Sequence, residues 1–268
     1  MDIVKSMRDE YGHSKKWINR THFANLVLLA TTIAVIIFGD HLIWGILALL
    51  VPIFILISRC IYTNHYDLAE KMRRLLLLMD SLGIEPSAGE IAQFGAEIGK
   101  SDTRTIGFRP PYYNSKLEIG NNRLAENIAE SAFFTQYVSK CAKLIFTVIS
   151  MVGVLMFVIL LTTKSWLDIG NGVIWSRLLV TVAVFFSTGD FAWIAYQFYR
   201  LHLMAERTFT KAHKLTQQGS INTLEIFRLM DDYNCALIQT PPIPDKCYEY
   251  YSDKLNEAWR QAHLTAES

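Results

Sequence analysis

An excess of charge of either sign is missing from this sequence: Lys and Arg total 26 against 25 Asp and Glu, a formal net charge of +1. Such a balance excludes a global electrostatic field that would gather nucleic acid, and it confines any polyanion site to a local patch. Cysteine is scarce. Cys60, Cys141, Cys235 and Cys247 are the only four, with no CxxC spacing, so they form no zinc site and are read as structural thiols. The seven histidines are scattered, with no HExxH and no pair at metal-ligand spacing. Walker, GxSxG and GxGxxG patterns are absent as well. The chain is therefore read as a non-enzyme that needs no cofactor. Strand alternation, internal repeats and low-complexity tracts are also lacking, which leaves an all-α reading.

Apolar sequence is abundant: 51% of residues are hydrophobic and the mean hydropathy is +0.20. Residues 23–59 read FANLVLLATTIAVIIFGDHLIWGILALLVPIFILISR, broken only by Gly39, Asp40 and His41. A bilayer core of about 30 Å takes about 20 apolar helical residues per crossing, so this run holds two short crossings joined by a tight turn. A second hairpin follows at 144–163 and 178–199, around a loop with Lys164 and Trp166. The chain is predicted to be an all-α polytopic membrane protein with four transmembrane helices arranged as two hairpins. Its segments are a cytosolic N-terminal helix (1–22), hairpin 1 (23–59), a cytosolic helical insert (60–142), hairpin 2 (143–199) and cytosolic C-terminal helices (200–268). Insert and tail together form one helical cytosolic module.

Lys and Arg beside the crossings set the orientation. Lys5, Arg8, Lys15, Lys16 and Arg20 precede the first hairpin, and many more lie between Arg59 and Lys143, whereas the hairpin tips hold only Lys164 and Arg177. The positive-inside rule places both termini and the insert in the cytoplasm. The N-terminal segment lacks a signal peptide's apolar region and cleavage site and is expected to be retained. Its spacing of Ile3, Met7, Tyr11 and Ile18 suits a helix on the membrane surface or on the cytosolic module.

Local signals then divide the cytosolic segments. Residues 61–82 form a helix with Leu68, Met72, Leu75, Leu76, Met79 and Leu82 on a broad apolar face and Gly83 as its stop. Ser87 and Glu90 make a capping box for a helix reaching about Gly99. Asn121 or Asn122 caps a helix that runs from Arg123 straight into the third crossing. The helix after the fourth crossing stops at Gln217-Gln218-Gly219, another covers 223–237, and after a proline-rich break Asp245 caps a last helix over 246–263.

Two constellations are candidates for function. Asp190 falls about twelve residues into the fourth crossing, with Ser187 one turn before it and Gln197 farther along. A carboxylate there costs roughly 2.5–3.5 kcal/mol on insertion scales, so it lines a pore or gate, or else bonds neighbours such as Thr147 and Ser150 as glue between helices. Pro52, inside the second crossing, is either a gating bend or a proline tolerated in a bundle. The second constellation is the loop with Arg104, Arg109, Tyr112, Tyr113, Asn121, Asn122 and Arg123. Arginines hold phosphates, tyrosines stack on bases and a helix N-terminus offers free N–H groups, which suits a nucleotide ligand. The alternative is a solvated loop that packs its tyrosines against the insert.

The run Pro111-Tyr112-Tyr113-Asn114-Ser115, followed by Arg123-Leu124-Ala125-Glu126-Asn127-Ile128-Ala129-Glu130-Ser131-Ala132-Phe133-Phe134-Thr135, resembles the segment before the third crossing in the SMODS-associated four-transmembrane family. That family comprises pore-forming effectors of bacterial nucleotide-signalling anti-phage defence. Pro242-Ile243-Pro244 with Tyr248, and then Leu255-Asn256-Glu257-Ala258-Trp259, is similar to the family's C-terminal end; Tyr11 to Lys15 is a weaker match. The resemblance implies an inner-membrane effector that forms a homo-oligomer in the lipid bilayer and permeabilises it. The implied ligand is a cyclic nucleotide or a short DNA oligomer made by a partner nucleotidyltransferase, acting as activator or as restraint. The competing readings are a non-channel membrane scaffold or partner-binding protein and, with no converging catalytic groups, a membrane enzyme.

Overall fold

The computed structural model describes residues 2–38, 42–98, 112–166, 190–218 and 221–266. Among them are seven α-helices and no strand: α1 Ile3–Phe38, α2 Leu42–Leu82, α3 Ala88–Ile98, α4 Asn121–Trp166, α5 Phe191–Gln217, α6 Thr223–Ile238 and α7 Asp245–Ala266. Two of the helices, over Leu49–Leu82 and Asn121–Met156, are long and apolar enough to cross a membrane.

The helix ends follow local chemistry. Asp2 starts α1 by accepting the N–H groups of Val4 and Lys5, each at 3.1 Å. Gly83 ends α2 at φ +65°, its N–H donating to the Met79 carbonyl at 3.0 Å, a conformation that glycine adopts at little steric cost. The capping box is present: Ser87 N–H donates to Glu90 Oε2 at 2.8 Å and Glu90 N–H to Ser87 Oγ at 3.2 Å. Asn222 caps α6 through its side chain, which accepts from Leu224 N–H at 2.9 Å.

Three boundaries differ from the sequence reading. Neither Asn121 nor Asn122 caps α4; Gly120 precedes it at φ +152°, with its carbonyl accepting from Leu124 N–H at 3.0 Å and its own N–H donating to Ser81 at 2.8 Å. The second crossing and the helix after it are one 41-residue α2, because no glycine or second proline interrupts the chain between Pro52 and Leu82. Pro52 sits inside α2 without ending it. Asp190 is not inside a continuous helix: it has φ +52° and its carbonyl receives the Ile194 N–H at the start of α5. Aspartate is among the few non-glycine residues that tolerate this region.

The chain divides into two compact units. The first comprises Met1–His13, Asn64–Ala142 and Gln197–Ser268, and its core has two parts. Ile3 and Met7 of α1 pack with Leu68, Met72, Leu75, Leu76 and Met79 of α2, flanked by Phe94 and Ile98 of α3. Thus the apolar stripe of the N-terminal segment is satisfied by α2. Leu77, on another side of α2, joins Leu124, Ile128, Leu215, Ile226, Leu229 and Trp259 from α4, α5, α6 and α7. The second unit comprises Ser14–Thr63 and Lys143–Tyr196. Its described helices expose large apolar side chains: Leu49, Leu56, Met151 and Val154 are each more than 58% exposed, and Leu50, Ile53, Phe54, Ile57, Val152 and Leu155 are exposed beside them.

Candidate functional site

Polar chemistry in the first unit converges on Arg73. Glu70 and Arg73 are one helical turn apart on α2, within a run of apolar core residues, and both are buried. Glu70 accepts from Arg73 Nε at 2.8 Å and from the Tyr11 hydroxyl at 2.6 Å. Arg73 Nη2 donates to Asn234 Oδ1 at 2.7 Å, and the guanidinium lies 5.9 Å from the centre of the Tyr233 ring. Tyr233 in turn meets Thr135 Oγ1 at 2.7 Å and Ser131 Oγ at 3.1 Å. Tyr66 donates to the Leu237 carbonyl at 3.1 Å. Helices α1, α2, α4 and α6 thereby meet in one network.

Tyr112 and Tyr113 complete it from the loop before α4, their rings 5.0 Å apart and nearly perpendicular. Tyr113 is buried, and burial pushes its hydroxyl well above the ordinary tyrosine range. Burial, reinforced by Glu70, does the same to Tyr11 and Tyr66, and burial raises Tyr233. These phenols therefore keep their protons around a buried cation, and Tyr11 and Tyr66 donate them to Glu70 and the Leu237 carbonyl. Arg73 Nη1 and the Tyr113 hydroxyl are both buried without a hydrogen bond of normal geometry; they are neighbours, and the guanidinium offsets part of the rise that burial gives the Tyr113 hydroxyl.

The remaining loop residues go elsewhere. Arg123 Nη2 and Nε reach Asp80 at 3.0 and 3.4 Å, and Nη1 donates to the Leu117 carbonyl at 3.1 Å. Asp80, 1% exposed at its side chain, also accepts from Asn127 Nδ2 at 2.7 Å. Asn121 Nδ2 donates to Thr223 Oγ1 at 2.8 Å. The structure thus separates the tyrosines, which turn towards Arg73, from Asn121 and Arg123, which tie α4 to α2 and α6. Asn122 lies half-buried in the first turn of α4. Arg104 and Arg109 lie outside the described residues.

In the second unit Asp190 has a partner, Arg59, whose Nη1 is 2.8 Å from Asp190 Oδ2. The pair joins the start of α5 to α2. Ser150 instead donates to the Phe146 carbonyl of its own helix at 2.8 Å, the backbone bond that serine readily makes inside a helix. Gln197 falls in the first unit, where its side chain donates to the Gln239 carbonyl at 2.7 Å. Ser187 lies outside the described residues.

Sequence reasoning missed Tyr11, Tyr66, Glu70, Arg73, Tyr233 and Asn234. One signal was available: Glu70 and Arg73 are a charged pair set into an otherwise apolar helix, where an unpaired charge would be costly. Asn234, 161 positions from Arg73, carries no local mark. Among the described residues no group of three His, Cys, Asp or Glu side chains could hold a metal ion. No family model, curated protein or solved structure matches the chain.

Proposed function

We propose that this chain is an oligomeric pore or ion-channel effector of the bacterial inner membrane, with four crossings and both termini in the cytoplasm. It acts by permeabilising the membrane under control of a nucleotide or oligonucleotide signal, as the resemblance to the SMODS-associated four-transmembrane effectors of anti-phage defence implies. The observation that carries the membrane part is the apolar surface of the second unit. On α2 and α4 large apolar side chains stay exposed at adjacent positions, such as Ile53, Phe54, Leu56 and Ile57, and Met151, Val152, Val154 and Leu155. A monomer in water rarely exposes so continuous a patch, whereas hydrocarbon or neighbouring subunits cover it. The helical first unit, with its buried arginine and tyrosines, supplies the sensing module. A carboxylate paired with arginine at the start of α5 supplies a gate element, since opening can be coupled to loss of one ion pair.

Ion flux through liposomes carrying the purified protein, with and without cyclic oligonucleotides and short DNA oligomers, tests this reading alongside the oligomer mass. Flux that changes with one of these ligands, from a protein larger than a monomer, is expected. Absence of flux in every condition, with a monomeric mass, would replace the channel by a membrane scaffold.

A further inference from the structure

We propose that Arg73 Nη1 and the Tyr113 hydroxyl form the floor of an anion site in the first unit, taking a phosphate group whose attached base stacks on Tyr112 and Tyr248. The inference deepens the proposed function by locating the signal's binding site, and it rests on that reading for the ligand's role as a gate signal.

Two donors at the centre of this network make no hydrogen bond of normal geometry. Native interiors pair nearly all buried polar groups, and the exceptions commonly mark a missing ligand or ion. Here two buried groups are left over side by side, and each has a hydrogen to donate. The rest of the guanidinium is occupied by Glu70 and Asn234, which hold its plane fixed. An anionic oxygen beside Nη1 would accept from both at once, and charge-assisted bonds of arginine to phosphate are the strong form of that contact.

The surroundings favour an anion that carries an aromatic group. At Tyr112 the charges of Arg73 and Arg8 outweigh those of Glu70 and Glu130. Glu130 is engaged by the backbone N–H and the side chain of Asn114. Access runs along two tyrosines: Tyr112 is 38% and Tyr248 42% exposed, yet desolvation raises both hydroxyls, and each feels Arg73 and Glu70. These side chains therefore extend from solvent towards the buried cluster. Exposed rings beside a buried phosphate hook form the stacking platform that nucleotides use.

The test uses the full-length protein in detergent and titrates it with AMP, a cyclic dinucleotide and a four-nucleotide DNA oligomer. Adenosine is the phosphate-free control and inorganic phosphate the competitor. Tyr113→Phe is the decisive variant: the hydroxyl it removes makes no hydrogen bond of normal geometry, only a loose approach to Arg73, so the unliganded fold should lose little of its melting temperature. Binding of at least one phosphate-bearing probe is expected, with inorganic phosphate competing and adenosine weaker. Tyr113→Phe should weaken that binding about tenfold, the worth of one hydrogen bond to a charged group, and Tyr112→Ala should weaken it by a similar factor through lost stacking. Equal affinity of parent and Tyr113→Phe, or no binding of any of the three probes at about 1 mM, would overturn the site. Binding that leaves flux unchanged would keep the site and remove the gating role; ligand-controlled flux that Tyr113→Phe leaves intact would keep the channel and remove the site.

Discussion

Replacing Arg123 by alanine separates a residue that holds the fold from one that holds a ligand. Its guanidinium makes two contacts to Asp80, at 3.0 and 3.4 Å, and the two side chains are only 17% and 1% exposed. Removing one partner of such a buried pair strands the other charge, which costs about 3–5 kcal/mol. Asn127 still donates to Asp80 at 2.7 Å, which puts the expected loss near the lower end, about 3 kcal/mol. At roughly 2–4 °C per kcal/mol for a domain of 150–250 residues, the melting temperature should fall by roughly 6–12 °C. Near-ultraviolet circular dichroism of the detergent-solubilised protein reads this directly. The double variant Asp80→Leu with Arg123→Met should recover most of the loss, because apolar side chains of similar volume remove the stranded charge. A fall of less than roughly 2 °C for Arg123→Ala, or a double variant no better than the sum of the two single changes, would refute the buried-pair account.

Three further outcomes are expected. Burial and the adjoining Cys141 push the Cys247 thiol from 9.0 up to about 12; at pH 8 its thiolate fraction is about a thousandfold below that of an ordinary thiol. A maleimide should therefore label exposed Cys235 long before Cys247, and equal rates would contradict the packing of α7. Asp190→Asn and Arg59→Gln should each alter ion flux with membrane insertion intact, and combining them should add little, because both break one pair; unchanged flux would remove the pair from gating. Gly83→Ala should cost about 1–2 kcal/mol from backbone strain at φ +65°, since the added methyl meets only Ile119 at an ordinary 3.5 Å. A neutral Gly83→Ala would show that α2 ends differently.

The all-helical character and most helix ends were legible because their causes are local. Gly83, the Ser87 and Glu90 box and the proline-rich break before α7 each act within a few residues. The apolar face from Leu68 to Met79 was also readable, and the structure packs it against Ile3 and Met7. The cap of α4 was misread: asparagine is the commoner cap, but Gly120 brings a backbone N–H within 2.8 Å of the Ser81 carbonyl and frees Asn121 to reach Thr223. The network around Arg73 was hidden because its partners come from α1, α6 and the loop before α4, and no spacing rule joins Tyr11, Tyr113 and Asn234. Asp190 was singled out by its charge, but its partner was not, since Arg59 marks the end of a crossing as readily as it forms an ion pair.

The central claim, that the exposed apolar helices of the second unit face lipid, is tested most directly by a spin label. Val154→Cys carries the label, in a protein whose four native cysteines are replaced, reconstituted into lipid vesicles. Collisions with oxygen, which concentrates in hydrocarbon, are expected to exceed those with a water-soluble nickel chelate, and a label at exposed Tyr250 on α7 should show the reverse. Free access of the nickel chelate to position 154 would place that surface in water and contradict the account.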